Sequence, residues 1–252
     1  MNFVDQTVLV TGSSRGIGKA TAFAFAEAGA KVAIHYRSNQ EAAIATLKEL
    51  PGEGHLLVKA DIGDPNQVHD LVQECVREWG QIDILVNNAG IFLPHPIDEV
   101  DYEQWQTAIT QTLNTNLTGA ANLCYCVAQG MMERGEGRII NVTSRGAFRG
   151  EPEHPGYGAS KAGLNALSQS LALKLGKYGI SVYAIAPGFV ETDMADRILN
   201  SPAGEGIRRQ SPLGRVAQPE EVAYAILFYA SEKAKFLTGG ILDVNGASYL
   251  RS

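Results

Sequence analysis

A chain of 252 residues can bury one large α/β core, and its composition, 45% hydrophobic and 19% charged, is that of an ordinary globular protein. The net charge of -6 comes with no basic run, which argues against nucleic acid as a partner. No stretch approaches the ~18 uncharged apolar residues of a membrane span, no basic-then-apolar leader opens the chain, and three cysteines (Cys75, Cys124, Cys126) make no disulfide framework, so the expected setting is the reducing cytoplasm.

The apolar spacing predicts a strand over 7–11 and a helix over 16–28. Between them runs Thr11-Gly12-Ser13-Ser14-Arg15-Gly16-Ile17-Gly18. Three glycines at a strand-to-helix turn permit a tight bend and close approach of backbone to a pyrophosphate, and the helix start offers unpaired N–H groups. Gly12 and Gly16 have three residues between them, where the commonest dinucleotide fingerprint has one. The position after the first strand gives the pattern its weight.

The second strand, 31–36, ends on Tyr36, where an acid would hold a ribose 2′-hydroxyl. Arg37 follows it and Arg15 lies in the glycine turn. Two guanidinium groups and no carboxylate suit a 2′-phosphate, so NADP(H) is expected over NAD(H). A helix over 40–50 leads to a third strand over 55–60. Asp61-Ile62 then either meets the adenine edge or caps the helix predicted over 65–79.

A fourth strand over 82–86, a long helix over 102–132 and a fifth strand over 138–143 follow, with Ser144 at the sheet's C-terminal edge. The helix over 157–178 opens Tyr157-Gly158-Ala159-Ser160-Lys161, whose i, i+4 spacing puts the phenol and the ammonium on one face. A nearby ammonium favours the phenolate and lowers its pKa toward working pH, while the Ser144 hydroxyl is placed to hold a substrate oxygen. A sixth strand over 181–185 precedes a long aperiodic segment, 188–216, expected to be a substrate lid. A helix over 219–230 and a strand over 241–244 complete the chain. Strict β-α alternation predicts a single-domain, Rossmann-type, doubly wound parallel sheet of about seven strands with helices on both faces. His35, His55, His69, His95 and His154 show no metal-ligand spacing, so no metal is expected and each is read as structural or exposed.

Taken together, these motifs resemble the short-chain dehydrogenase/reductase family over nearly the whole chain. Its glycine motif matches Gly12, Gly16 and Gly18, and its Asn-Asn-Ala-Gly motif matches Asn87-Asn88-Ala89-Gly90. Its catalytic serine, tyrosine and lysine fall on Ser144, Tyr157 and Lys161. Its asparagine falls on Asn116, with Asn114 as the competing position. Pro187-Gly188 and Thr192 match the turn and the carboxamide partner after the sixth strand. The resemblance further implies cofactor contacts at Ser14, Ile17, Val190, Asn88, Ala89 and Gly90, besides Arg15, Tyr36, Arg37, Asp61 and Ile62. It implies hydride transfer between nicotinamide and a carbonyl or alcohol carbon. Tyr157 would supply the proton, Lys161 would hold the nicotinamide ribose, and Asn116 would help hold a relay water. It also implies a homotetramer, which the small and apolar residues of the helices over 102–132 and 157–178 would suit.

Within the family, Pro187-Gly188-Phe189-Val190-Glu191-Thr192-Asp193-Met194, Pro212-Leu213-Gly214-Arg215 and Gln218-Pro219-Glu220-Glu221-Val222-Ala223 resemble 3-oxoacyl-[acyl-carrier-protein] reductases of fatty acid biosynthesis. Such reductases dock the acidic carrier with an arginine before the fifth strand and another at the end of the active-site helix. Gly135 and Tyr178 stand at those places, beside Arg134 and Lys177. Residues 145–155, with Arg145, Arg149, Glu151, Glu153 and His154, form either a solvated loop or a polar substrate wall. The alternatives are therefore a dehydrogenase of a sugar, polyol or other small polar alcohol, and a non-catalytic NADP(H)-binding sensor or scaffold.

Overall fold

The computed structural model describes residues 1–251; Ser252 and the side chains of Met194 and Arg197 lie outside the description. Seven strands form one parallel sheet in the order β3-β2-β1-β4-β5-β6-β7. They are β1 (Thr7–Val10), β2 (Lys31–Tyr36), β3 (Leu56–Lys59), β4 (Ile84–Asn87), β5 (Gly137–Val142), β6 (Ile180–Pro187) and β7 (Ile241–Val244). The chain enters at β1, winds outward to β3, then crosses back to β4 and on to β7. Strand order thus reverses between β1 and β4, where Val10 pairs with Val86. Ligands of doubly wound sheets bind outside the strand ends at such a switch point.

The alternation of side chains along each strand feeds two cores. Val8 and Val10 face one way, against α1 (Gly16–Glu27), α2 (Gln40–Glu49) and α10 (Pro219–Ala230), and pack with Phe25, Ala43, Val222 and Ile226. Leu9 and Leu85 face the other way, against α3 (Pro65–Trp79), α5 (Ala120–Arg134) and α7 (Pro155–Leu175), and pack with Leu71, Leu123 and Leu175. Both strand leucines are fully buried, so truncating either to alanine is expected to cost about 2–5 kcal/mol. Local signals set the helix ends. Asp64 caps α3 ahead of Pro65, and Gly80 stops it in the left-handed region at φ 84. Asp101 and Gln104 form a capping box for α4 (Tyr102–Leu113).

The sequence expectation departs from the structure chiefly in four places, beyond shifts of a few residues at the ends of α7 and β6. The helix predicted over 102–132 is interrupted by a π-helical turn, Asn114–Gly119, which separates α4 from α5. A side chain at Gly119 would strike the Ile62 carbonyl, so the helix passes close under the strand ends here. The strand predicted over 82–86 starts at Ile84, because the Asp83 carboxylate turns to accept from the Thr7 amide (2.8 Å) and hydroxyl (2.9 Å). Ser144 stands two residues beyond β5 rather than ending it, and the loop after it holds a short helix, α6 (Gly146–Arg149). The segment 188–216 is not structureless: α8 (Asp193–Leu199) and α9 (Gly204–Arg208) pack through Ala195, Leu199, Ile207, Val216 and Phe189.

No helix among the described residues is long and apolar enough to cross a membrane. Burial pushes the Cys75 and Cys124 thiols up to about 12, so both stay protonated and act as small apolar side chains.

Candidate active site

A cavity of about 550 Å³ opens at the switch point, lined by the glycine turn, the ends of the central strands, the start of α7 and the first turns after β6. Gly12 and Gly16 adopt φ 63 and φ 55, where only glycine is unstrained. A Cβ at Gly12 would lie 2.9 Å from the Ala89 Cα. No side chain caps the start of α1, so its first N–H groups are free for an anion. This is a cradle into which only a glycine turn fits, and it suits a dinucleotide pyrophosphate. Gly18 does not line the cavity. It sits beneath, where a side chain would collide with the Gly12 carbonyl and the Asn88 amide.

The Asn-Asn-Ala-Gly segment supports this turn. The Asn88 Nδ2 donates to the Thr11 carbonyl (2.9 Å) and the Gly12 carbonyl (3.2 Å), while the Thr11 hydroxyl accepts from the Asn88 and Ala89 amides (both 3.0 Å). Asn87 lies deeper and donates to Asn141 Oδ1 (2.8 Å) between β4 and β5.

A second support is His35, one of the histidines read from the sequence as structural or exposed. Its Nδ1 accepts from the Gly12 amide (2.9 Å) and its Nε2 lies 3.1 Å from the Ala60 carbonyl, so the neutral ring carries its proton on Nε2. The His35 amide donates to Ser13 Oγ (2.9 Å) and its carbonyl accepts from the Ser13 amide (3.0 Å). Burial pushes the imidazole down to about 4. The only sequence hint was a histidine inside an otherwise apolar strand.

Tyr36, Arg37, Asp61 and Ile62 line one end of the cavity, joined by Ser38 and Asn39, which adjacency to Arg37 alone could have suggested. Arg37 lies 4.0 Å from Asp61 and Arg15 lies 3.8 Å from Asp193, both exposed pairs. Such pairs are weak and leave each guanidinium able to turn to another anion.

At the opposite end, Ser144, Tyr157 and Lys161 share the cavity wall with Gly90, Pro187, Gly188, Val190 and Thr192. The Ser144 Oγ accepts from the Gly146 amide (3.0 Å), which leaves its own proton free to be donated. Burial pushes the Tyr157 phenol up to about 12; a hydrogen bond with Ser144 pulls it down and the Glu151 charge pushes it further up. Burial brings the Lys161 ammonium down to about 8. Its Nζ donates to the Val142 carbonyl (2.8 Å) and stands 5.7 Å from the centre of the Tyr157 ring. The spacing rule put the two groups on one face correctly. The expected lowering of the phenol by the ammonium does not appear: burial raises Tyr157, only the Ser144 hydrogen bond opposes it, and the lysine is anchored to β5 rather than to the hydroxyl.

Asn116 is buried behind this group in the π-helical turn, whereas Asn114 is exposed. Its Oδ1 accepts from the Ile91 amide (2.8 Å), and its Nδ2 donates to the Ile91 carbonyl (2.9 Å) and Ser160 Oγ (3.2 Å). The side chain thus stitches the loop after β4 to α7. His95 does the same further out. Its Nε2 accepts from the Gly156 amide (2.9 Å), and its Nδ1 donates to the Leu93 carbonyl (2.8 Å). Phe92 stacks on His154 at 3.6 Å and meets Tyr157 edge-on at 4.7 Å. Glu151 and Arg145 also line the cavity, so the loop over 145–155 forms part of its wall.

A parallel sheet ordered in this way, with a glycine cradle beside a serine, tyrosine and lysine, defines a nicotinamide-dependent oxidoreductase. A family model described as enoyl-(acyl carrier protein) reductase matches residues 12–247, and the chain belongs to the short-chain dehydrogenase/reductase family as an enzyme of the ketoreductase type. Among its relatives is the 3-oxoacyl-[acyl-carrier-protein] reductase FabG of Staphylococcus aureus, 36% identical over 247 residues, which span 97% of this chain and 98% of that one. The 3-oxoacyl-[acyl-carrier-protein] reductase of Synechocystis sp. is 38% identical over 244 residues, 96% of each chain. FabG of Chlamydia trachomatis is 38% identical over 245 residues, 96% of this chain and 97% of its own.

Proposed function

We propose that the protein is an NADP(H)-dependent ketoreductase of 3-oxoacyl compounds, with Ser144, Tyr157, Lys161 and Asn116 as its catalytic group. The observation that carries this reading is the placement of Ser144 and Tyr157 in one wall of the cavity whose other end is the glycine cradle. When bound, NADP(H) supplies the hydride. The Ser144 hydroxyl, with Gly146 as its donor partner, gives its proton in a hydrogen bond to the carbonyl oxygen. Tyr157, held neutral by burial, transfers its proton to that oxygen as charge develops there. Lys161, fixed by Val142, turns its remaining N–H donors toward a ribose. The Asn116 side chain is occupied by Ile91 and Ser160, so its part is to hold the loop after β4 in place and to present the carbonyl of its widened turn to a relay water. The segment 188–216 acts as the lid, with Thr192 toward the carboxamide.

Preference for NADP(H) rests on Arg15 and Arg37 at the adenosine end and on Tyr36 in place of an acid. Charge-assisted bonds to a 2′-phosphate are worth about 1.5–3 kcal/mol, so NADPH is expected to bind about tenfold or more tightly than NADH. Titration giving equal dissociation constants would overturn the preference; loss of it in Arg37→Ala would place it.

A second substrate reading, a small polar carbonyl or alcohol that arrives without a carrier, is favoured by Arg134. This neighbour of Gly135 turns inward, donating to the Ile82 carbonyl (2.8 Å) and standing 3.8 Å from Asp83. It is therefore committed within the fold rather than offered to an acidic partner. Lys177 lies over the Tyr178 ring at 4.9 Å. Comparing turnover of an acetoacetyl carrier-protein thioester with that of the same acyl group on a small thiol separates the two readings: a large advantage for the carrier supports the first, and none supports the second.

A further inference from the structure

Arg145 follows Ser144 in the chain and lines the same cavity. It is only 3% exposed. A buried guanidinium is costly unless a counter-charge meets it. Its hydrogen-bond acceptors among the described residues are neutral: Nη1 donates to Ser248 Oγ (2.6 Å) and Nη2 to Gln210 Oε1 (2.7 Å). The Phe189 ring lies 4.9 Å from its Cζ and holds the guanidinium plane. A guanidinium carries five N–H donors, so these bonds leave most of the fork unused. Burial and the Arg149 charge push its ionisation down, and Glu151 pulls it back. Among the side chains that line this end of the cavity, Arg145 and Lys161 stand against Glu151, so the wall is net positive beside the reacting group.

We propose that Arg145 is a specificity-determining residue that receives the carboxylate of a small oxo acid while Ser144 and Tyr157 hold its carbonyl oxygen. The inference rests on the ketoreductase reading above and narrows its substrate. Ser144, Tyr157 and Arg145 line one cavity, so a small substrate that engages all three carries its carboxylate near its carbonyl, as in a 3-oxo acid. The phosphate of a carrier arm stands too many bonds from a 3-oxo group to reach it. Gln210 lies beyond α9 and Ser248 beyond β7, so an arriving carboxylate can displace either without disturbing β5 or α7. Behind Arg145 and Phe189, a second cavity of about 160 Å³ gives the side chain room to turn.

The test compares acetoacetate with methyl acetoacetate, which differ in one charge. Wild-type kcat/KM with NADPH is expected to favour the acid about tenfold or more, and Arg145→Gln is expected to collapse that ratio, with Arg145→Lys restoring part of it. If Arg145 is only a strut that ties Gln210 and Ser248 to the loop, both substrates fall alike and the ratio survives, which overturns the proposal. A wild-type enzyme that prefers the ester overturns it also. Calorimetric titration of malonate into the protein decides the point without turnover: binding lost in Arg145→Gln supports the subsite, and no binding to wild type sinks it. Should neither ketone be reduced while malonate binds through Arg145, the ketoreductase reading fails and the anion subsite stands.

Discussion

Tyr157 is the residue on which the proposed chemistry turns. Replacing it with phenylalanine keeps the ring against Phe92 and removes the proton. General acid catalysis is typically worth 10²–10⁴-fold, so kcat is expected to fall by about 10² or more while NADPH titration is little changed. Undiminished turnover of an accepted ketone would remove Tyr157 from its role. His35 carries a different prediction, one of stability. Burial holds its folded pKa at about 4, below the ordinary histidine value of 6.5. The unfolded chain therefore takes up the proton first, and the contribution of the neutral ring, full above pH 6.5, is lost as pH falls toward 4. A shift of that size corresponds to about 3 kcal/mol. His154, also brought down to about 4 by burial, acts in the same direction. The diagnostic measurement is thus a difference: denaturant midpoints between pH 7 and 4 should fall less steeply in His35→Asn than in wild type. Parallel slopes would mean that His35 is not the titrating clamp on Gly12.

At the scale of elements, the segment after β6 is the part expected to move. Its two short helices form their own small cluster, separate from both main cores. Its ties to the rest include the Val190–Ala217 bridge, the bonds of Arg145 and Arg149 to Gln210, the bond from Ser211 Oγ to the Gly246 carbonyl (2.6 Å), and the exposed Arg15–Asp193 and Arg215–Glu221 pairs. A separate small core and ties that are mostly polar favour opening as a unit. Amide exchange over residues 195–211 is expected to be fast in the protein alone and clearly slowed by NADP(H) with a substrate analogue. Equal protection in both would make the segment a static wall. The sequence showed this stretch only as aperiodic, because helices of seven and five residues are too short to display a 3.6-residue repeat. The long helix was legible by its apolar pattern, but its π-helical turn was not, since Asn114–Gly119 depends on how Gly119 meets the Ile62 carbonyl across the fold. Tyr157, Lys161 and the glycines were legible because their spacing is local to one turn or one helix start, and Ser144 because it follows the apolar run of the fifth strand. The partners of His35, His95 and Arg145 were not, because each is met from a distant part of the chain, up to 103 residues away for Arg145 and Ser248.

For the whole molecule, the outward faces of three helices bear on assembly. Leu173 on α7 is 89% exposed although its neighbour Ala172 packs inward, and Tyr125 on α5 is 70% exposed although Cys124 is buried. Tyr102, opening α4, is 78% exposed. Large apolar and aromatic side chains on successive helices of one layer are costly to leave in water and suit an interface between copies. A closed assembly of identical chains forms most simply across two-fold axes, and two such axes give a tetramer. Light scattering at micromolar concentration is therefore expected to report four chains. Leu173→Glu places a charge where α7 would meet its symmetry mate, and burying an unpaired carboxylate is strongly unfavourable. The substitution leaves both cores untouched, because Leu173 belongs to neither. Its expected effect is a shift to smaller species with the monomer's helical circular dichroism intact. A wild-type mass of one chain would refute the tetramer outright. A tetramer indifferent to Leu173→Glu would move the interface to another surface, such as the half-exposed edge strand β7 and its neighbour Phe236.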